Sequence, residues 1–305
     1  MQARLEKAPT VTIVICARNA EDHLKRLLPA LRTQDYPRSR MRVLVVDNGS
    51  SDGTRATARE HGAAVRVCQR TGVVHAREMG WRVARSEYVA FLDADCVPPR
   101  NWLRRALRPF GANERLGAVG VRLVPGPVHT LAERHIVEAR ILDTDRFRER
   151  NALQFPFLVT AGMVVRGAAL EDVSGFDVTF GRATGEDADL CWRLERRGWE
   201  TRYLPGLEVV HHHRATLLRM LQQVRWYGMA SAFLFARWRE EFGWWRYTDW
   251  AVYRRLGMGA LLALPALLGG GKAYERARPA LEMLDAAAFL AGKWEGAIRN
   301  RVFFL

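Results

Sequence analysis

The sequence predicts an α/β fold with a Rossmann-like, mostly parallel sheet flanked by helices, followed by a C-terminal helical region. Short β-branched apolar runs alternate with segments whose apolar residues recur at helical spacing, and polar residues follow several of the predicted strands. Such alternation favours a parallel sheet that is covered on both faces. Of the 305 residues, 49% are hydrophobic and 26% are charged, which is typical of a globular protein.

The predicted elements begin with one βαβ unit. An apolar strand is expected over residues 11–17, a helix with regularly spaced leucines over 21–31, and a second strand over 43–46. The pattern continues with a helix after Gly53, a strand over 64–68, a helix over 75–85 and a strand over 88–92.

Polar residues stand at the ends of three predicted strands. Arg18 and Asn19 follow the first strand, residues 47–53 the second, and Asp93 and Asp95 the fourth. Because ligands of open parallel sheets bind beyond the carboxyl ends of the strands, these residues are expected to face one crevice. Residues i and i+2 of an extended chain point the same way, so the two aspartates suit a divalent cation, although turn-forming aspartates are an equal alternative.

Asp47 differs from the turn-like residues that follow it. It ends a buried strand, where its carboxylate can accept hydrogen bonds from a base or ribose lying over the sheet edge, whereas residues 49–53 are typical of a turn and a helix cap. No GxGxxG motif occurs in the chain, which disfavours a dinucleotide-dependent oxidoreductase.

Charge and cysteine content indicate the kind of partner and the cellular compartment. The net charge of +14 and a pI near 10.4 indicate an anionic partner or surface. The basic residues are scattered and form no zinc-finger or RNP-like pattern, so nucleic acid is not an expected partner. Four widely separated cysteines and an N-terminus without the apolar core of a signal peptide predict a cytoplasmic protein with reduced thiols.

Residues 11–19, 45–54 and 90–95 together resemble the nucleotide-binding half of a family 2 glycosyltransferase of GT-A fold. The resemblance implies a nucleotide-sugar donor, UDP-linked, and a Mn²⁺ or Mg²⁺ cofactor. It assigns the nucleoside to Asp47, the ribose to Asp93 and the most direct metal contact to Asp95. The donor-binding residues that it implies are Ala17, Arg18, Asn19, Asp47, Arg77, Asp93 and Ala94.

The second half of the chain resembles the acceptor side of the same family. Thr160 and Gly162 lie in the block that closes the sugar pocket, and Glu186 and Asp187 open the helix that carries the general base. An inverting transferase needs one carboxylate, not neutralised by metal, to take a proton from the acceptor hydroxyl, and Asp187 is the candidate. For Glu186 and Asp189, a helix N-terminus that favours acidic side chains is an equal explanation.

Two further motifs follow. His211, the first of three consecutive histidines, matches a position where related enzymes place a histidine against the metal or the donor diphosphate. Gln222, Arg225 and Trp226 form a QxxRW element that resembles the acceptor-binding motif of cellulose-synthase-like enzymes. An amphipathic helix that packs through its leucines is the alternative for this element, and both can hold together.

The C-terminal region is apolar and basic. Its longest apolar stretch, residues 256–271, falls short of the roughly 20 residues that span a bilayer, so we expect it to lie in an anionic membrane interface. A helical cap or an oligomer interface is the alternative. Localisation is therefore predicted as cytoplasmic, including a peripheral position at the inner face of the cell membrane.

The predicted organisation is a catalytic domain over residues 1–215 and a helical region over 216–305. Within the catalytic domain, residues 10–125 form the nucleotide-binding half and residues 126–215 the acceptor half. The predicted activity is inverting transfer of a sugar to a hydroxyl of a glycan, a lipid-linked molecule or a natural product. A nucleotidyltransferase and a catalytically silent nucleotide-sugar-binding scaffold at a membrane are the alternatives.

Overall fold

The structure is a computed structural model that describes residues 8–145, 157–181, 184–242 and 250–303. The chain divides into two compact units. The first comprises Met1–Val124, Phe155–Arg182 and Glu186–His212, and the second comprises Pro125–Gln154, Ala183–Gly185 and His213–Leu305. The last segment of the second unit begins at His213, close to the boundary predicted at residue 215. The unit also includes residues 125–154, which were predicted to belong to the acceptor half.

The described strands of the first unit form one sheet in the order β3-β2-β1-β4-β7-β6-β8-β5. The first four strands in this order, β3, β2, β1 and β4, run parallel to one another. Strand β7 runs antiparallel to β4 and β6, and β8 runs antiparallel to β5. The predicted mostly parallel sheet is thus confirmed. The strands are β1 (Val11–Ala17), β2 (Met41–Asp47), β3 (Ala64–Val67), β4 (Tyr88–Asp93), β5 (Cys96–Val97), β6 (Leu116–Pro125), β7 (Val164–Arg166) and β8 (Glu200–His211).

Helices cover both faces of the sheet, as the sequence predicts. On one face, Ile13 and Leu92 pack with the leucines of α1 and with Trp102 of α4. On the other face, Val14 and Phe91 pack with α3 and α7. The helices of this unit are α1 (Glu21–Arg32), α2 (Thr54–Glu60), α3 (Val73–Val83), α4 (Trp102–Leu107), α6 (Gly167–Asp172) and α7 (Glu186–Arg196), with 3₁₀ turns at Arg38–Arg40, Arg108–Ala112 and Val178–Phe180.

Four helices make up most of the described part of the second unit: α5 (Leu131–Glu138), α8 (Leu217–Phe242), α9 (Trp250–Leu268) and α10 (Ala273–Arg299). Helices α8 and α10 approach very closely: a Cβ atom at Gly292 would overlap the carbonyl oxygen of Arg225. A buried polar contact also ties α5 to α10, since His135 Nε2 lies 3.1 Å from Asp285 Oδ2.

Helix α9 corrects the length predicted for the C-terminal apolar stretch. It begins at Trp250, before the predicted start at residue 256, and continues through Pro265 to Leu268. The helix has 19 residues, and its most apolar 18-residue window has a mean hydropathy of 1.3, so by length and composition this one helix in the described part of the chain could cross a membrane. The sequence underestimated the element because the residues before Leu256 include two arginines, which interrupt the apolar run but not the helix.

Candidate active site

Strand register brings three predicted site segments to one edge of the first unit's sheet. Ala17 of β1 lies opposite Asp47 of β2, and Cys16 lies opposite Asp93 of β4. All three strands are parallel, so the chain leaves each of them at the same edge. The polar residues that follow the strands therefore lie at a common edge of the sheet.

Asp47 is positioned as an acceptor at this edge. It is 1% exposed, and its Oδ1 accepts a hydrogen bond from the backbone N–H of Ser50 at 3.1 Å. Its Oδ2 accepts no hydrogen bond from the described residues, and the Nε atom of Arg55 lies 3.7 Å away. A buried carboxylate oxygen with spare capacity to accept hydrogen bonds suits a polar ligand.

The loops after β1 and β2 hold each other through reciprocal hydrogen bonds. The backbone N–H of Asn19 donates to Ser50 Oγ at 2.9 Å, and the backbone N–H of Ser51 donates to Asn19 Oδ1 at 2.9 Å. Asn19 adopts φ +49°, a left-handed conformation that Asn tolerates better than most residues. The neighbouring Arg18 is exposed, and its predicted donor contact stays a prediction.

Arg77 is the centre of a buried charge network that sequence reasoning did not find. Its Nη2 donates to Asp93 Oδ1 at 2.8 Å, and its Nη1 donates to Glu186 Oε1. The guanidinium thus joins the end of β4 to the start of α7. Glu186 is 1% exposed, and its Oε2 has no hydrogen-bond partner among the described residues.

Burial and charge shift the pKa values of Arg77, Glu186 and Asp187. Burial lowers the pKa of Arg77, but the carboxylates of Asp93 and Glu186 outweigh it, so the pKa is raised overall. Burial raises the pKa of Glu186 to about 7, against the opposing effect of Arg77 and with a further contribution from Asp187. Burial likewise raises the pKa of Asp187, again opposed by Arg77. Both carboxylates therefore hold a proton more strongly than ordinary ones.

Asp187 lies beside this network at the start of α7. Its Oδ1 accepts a hydrogen bond from the backbone N–H of Ala188 at 2.9 Å, and the backbone N–H of Thr160 also bonds its carboxylate. Thr160 and Gly162 lie next to β4, where the N–H of Gly162 donates to the carbonyl of Phe91 at 2.9 Å. The structure thus brings Thr160, Asp187 and the end of β4 together.

A second cluster contains Asp95, Cys96 and His211, all of them buried. One ligand atom from each residue lies within 4.8 Å of the others, and His211 Nε2 is 3.4 Å from Asp95 Oδ1. The antiparallel pairing of β5 with β8 places Cys96 opposite His211. A carboxylate oxygen, an imidazole nitrogen and a thiol sulfur form a donor set that fits a divalent transition metal.

Asp93 and Asp95 do not share one extended face, because Ala94 and Asp95 form a turn between β4 and β5. Asp93 faces Arg77, and Asp95 faces His211. Sequence reasoning missed Cys96 as a possible ligand, although its position next to Asp95 was a usable signal. No local sequence pattern identified Arg77 as the partner of Glu186, because the two residues lie 109 positions apart in the chain.

The QxxRW residues lie on α8 in the second unit. Gln222 and Arg225 are exposed and Trp226 is half-buried. Arg225 Nη2 donates to Glu295 of α10 at 2.6 Å, an ion pair within the same unit. The predicted acceptor contacts of these three residues stay predictions.

Residues 12–173 match the model of the family described as Glycosyl transferase family 2. The chain is 33% identical over 239 residues to the pre-mycofactocin glycosyltransferase of Mycobacterium tuberculosis, an alignment that covers 74% of this chain and 48% of that protein. It is 28% identical to the UDP-forming cellulose synthase catalytic subunit of Pseudomonas fluorescens, covering 75% of this chain and 32% of that one. The chain spans about half the length of the pre-mycofactocin relative.

Solved structures share the fold. A mannosyltransferase from Pyrobaculum calidifontis, in complex with GDP-Man and Mn²⁺, matches with a TM-score of 0.65 and 21% identity over 96% of this chain and 92% of that one. The glucosyl-3-phosphoglycerate synthase of M. tuberculosis, with Mn²⁺, UDP-glucose and phosphoglyceric acid, matches with a TM-score of 0.56 and 19% identity over 77% and 81% of the two chains. These likenesses identify the architecture of the fold.

Proposed function

The chain belongs to glycosyl transferase family 2, and from that premise we propose that it is a metal-dependent, inverting glycosyltransferase that uses a UDP-linked sugar. The observation that carries the proposal is the buried network in which Arg77 joins Asp93, at the end of β4, to Glu186, beside Asp187. This network connects a donor-side carboxylate with the residue that precedes the candidate general base. The acceptor is a hydroxyl of a glycan, a lipid-linked molecule or a natural product.

The donor lies, in this proposal, over the common edge of β1, β2 and β4. The free oxygen of Asp47 accepts hydrogen bonds from the nucleoside, and Asp93 contacts the ribose. Ala17, Arg18, Asn19 and Ala94 complete the donor site. The UDP-forming name of the cellulose synthase relative supports a uridine donor.

Asp95 and His211 would hold the divalent metal, with Cys96 as a third ligand. Two enzymes of the same fold bind Mn²⁺. A site with imidazole and thiol donors suits Mn²⁺ better than Mg²⁺, which prefers oxygen ligands. A divalent ion held there would neutralise charge that develops on the leaving diphosphate. Strand pairing fixes Cys96 opposite His211, and the backbone N–H of His212 donates to the carbonyl of Asp95 at 2.9 Å.

Asp187 acts as the general base. The acceptor oxygen forms a bond to the anomeric carbon, the bond from that carbon to the diphosphate breaks, and the hydroxyl proton passes to Asp187. Attack from the face opposite the leaving group inverts the anomeric centre. Burial raises the pKa of Asp187, so its carboxylate is a stronger proton acceptor than an exposed one.

The test starts from hydrolysis of UDP-, GDP- and dTDP-sugars by the purified protein with Mn²⁺, measured as released nucleoside diphosphate. With the accepted donor, Asp187→Asn should keep the calorimetric donor affinity while turnover falls about 100- to 10,000-fold, because only the base is lost. Asp95→Ala should instead weaken metal-dependent donor binding. Asp22→Asn, at an 85% exposed side chain of α1, is the matched control and should change neither quantity.

Each alternative predicts a different result. A silent scaffold would bind a nucleotide sugar without releasing diphosphate, and a nucleotidyltransferase would form nucleotide sugar and pyrophosphate from a nucleoside triphosphate and a sugar phosphate. Unchanged donor affinity in Asp95→Ala would overturn the metal assignment. Full turnover in Asp187→Asn would overturn the base assignment.

A further inference from the structure

The distal half of α9, residues 260–268, is an apolar segment that the described part of the second unit leaves largely uncovered. Leu261, Leu264 and Leu268 are 68%, 65% and 80% exposed. Only 11% of the apolar window of this helix is buried, and Val252 and Gly259 are its buried residues. Large exposed apolar surfaces mark sites of interaction.

The exposed side chains are distributed around the helix rather than along one stripe. Successive residues turn by about 100°, so Leu261, Leu262, Leu264 and Leu267 point in directions that span well over half of the circumference. Residues 263 and 266, in the remaining sector, are half-buried, so no side chain from 260 to 268 is fully covered. A protein groove would cover only one face of this segment, whereas a bilayer interface can accept any apolar face that is turned toward it.

Charge indicates the chemistry of the surface that this segment would meet. Helix α9 contains no Asp or Glu, and Arg254 near its start is exposed. Lys272 and Arg276 follow the apolar segment and are also exposed. Basic residues at both ends of an apolar segment favour anionic headgroups, and the net charge of +14 acts in the same direction.

The hairpin formed by α9 and α10 favours a position in the plane of the membrane over a crossing. Gly259 packs directly against Met283, since a Cβ at Gly259 would lie 2.8 Å from the Cβ of Met283. Helix α10 therefore returns along α9, and it carries Glu275, Arg276 and Glu282. A crossing by α9 would bring these charges into the hydrocarbon region, where they are costly.

We propose that residues 260–268 insert into the interfacial layer of an anionic lipid bilayer, with Arg254, Lys272 and Arg276 contacting its headgroups. The partner is a membrane surface, and its binding is independent of glycosyl transfer. The full chain would therefore bind vesicles without donor, acceptor or metal.

Vesicle flotation of the full chain tests this proposal. We expect binding to phosphatidylcholine vesicles that contain phosphatidylglycerol, and much weaker binding to phosphatidylcholine alone or at high salt. The double variant Leu261→Gln/Leu264→Gln should lower the partition coefficient about 100-fold, because two exposed leucines no longer enter the apolar layer. Lys272→Gln/Arg276→Gln should lower it about 10-fold, and only on the anionic vesicles.

The matched control is Leu217→Gln/Leu218→Gln, which replaces exposed leucines at the start of α8 and should leave flotation unchanged. Circular dichroism shows whether each variant is folded, and light scattering gives its oligomeric state. Wild-type flotation of folded Leu261→Gln/Leu264→Gln would overturn the proposal. A dimer that this variant dissociates, without vesicle binding by the wild type, would assign the segment to a contact between copies of the chain.

Discussion

Glu186 and Asp187 are adjacent carboxylates, and only Glu186 forms an ion pair with Arg77 in the described structure. Glu186 is paired with Arg77, while Asp187 accepts backbone hydrogen bonds and lies beside that pair. Burial raises the pKa of both groups, to about 7 for Glu186. Because the charge of Asp187 raises the pKa of the adjacent Glu186, we expect the pair rather than either residue to set the acid limb of activity.

The pH profile of the enzyme should reveal this coupling. Transfer requires a deprotonated base, so kcat/KM should fall as the pH decreases through an apparent pKa that is raised above the ordinary carboxyl value of about 4. Glu186→Gln removes a neighbouring negative charge, so the acid limb should move to lower pH. The measurement is kcat/KM against pH for both proteins. An acid limb at the ordinary value in the wild type, or an unmoved limb in the variant, would contradict this assignment.

Loss of Arg77 should destabilise the first unit strongly. Its side chain is 8% exposed and neutralises Asp93 and Glu186, so Arg77→Met leaves the buried Glu186 and the partly exposed Asp93 without this cation. We expect the free energy of unfolding to fall by about 3–5 kcal/mol, measured by urea denaturation. Adding Glu186→Gln should restore part of that loss.

The control for this substitution lies on the same helix. Arg82→Met also removes an ion pair, with Glu78, but the Arg82 side chain is 58% exposed. Exposed pairs contribute little, so its cost should stay below about 1 kcal/mol. Equal losses for the two arginines would show that Arg77 is not the structural link described above.

At the scale of elements, the crossing of α8 and α10 depends on small residues. Gly228 and Gly292 each lie so close to the other helix that a Cβ atom would overlap its backbone, at Phe289 and Arg225 respectively. This close approach places Arg225 within reach of Glu295 on α10. The position of part of the QxxRW element is therefore decided by glycines outside the motif.

Gly292→Ala should destabilise the second unit by about 1–3 kcal/mol, because the added methyl group forces α8 and α10 apart. Gly257→Ala is the matched control, since Gly257 is also helical and a Cβ there meets nothing within 4 Å. The control should be neutral or stabilise by up to about 1 kcal/mol, because Ala favours helices over Gly. Thermal and urea unfolding of both variants check this, and equal effects would contradict the close packing.

At the scale of the whole molecule, the reactivity of the four cysteine thiols can be used to test whether the protein is folded. All four are free thiols, and Cys68, Cys96 and Cys191 are buried. Burial raises the pKa of Cys16 to about 12 and also raises that of Cys191, so their reactive thiolate forms are scarce at neutral pH.

Native protein should therefore react slowly with a thiol reagent such as DTNB, and four thiols should react quickly in denaturant. The measurement is the time course of thiol release with and without urea. Fewer than four thiols in denaturant would indicate a disulfide, and rapid reaction of all four in the native protein would show that the cysteines are accessible.

Much of the first unit was predictable because its signals are local. The β-branched runs of β1, β2 and β4 and the leucine spacing of α1 act within a few residues, and parallel register then brings Asp47 and Asp93 to one edge. The family resemblance, confirmed by the match over residues 12–173, came from the same segments. The assignment of metal and base residues within the site stays a prediction.

The sequence by itself thus determined the order of strands and helices in the nucleotide-binding half and the family to which the chain belongs. Only the tertiary structure decided that Arg77 pairs with Glu186, that Cys96 and His211 meet beside Asp95, and that α5 joins the C-terminal helices. These contacts link residues far apart in the chain. They depend on how whole elements pack, and neither the spacing of apolar residues nor a turn residue predicts that packing.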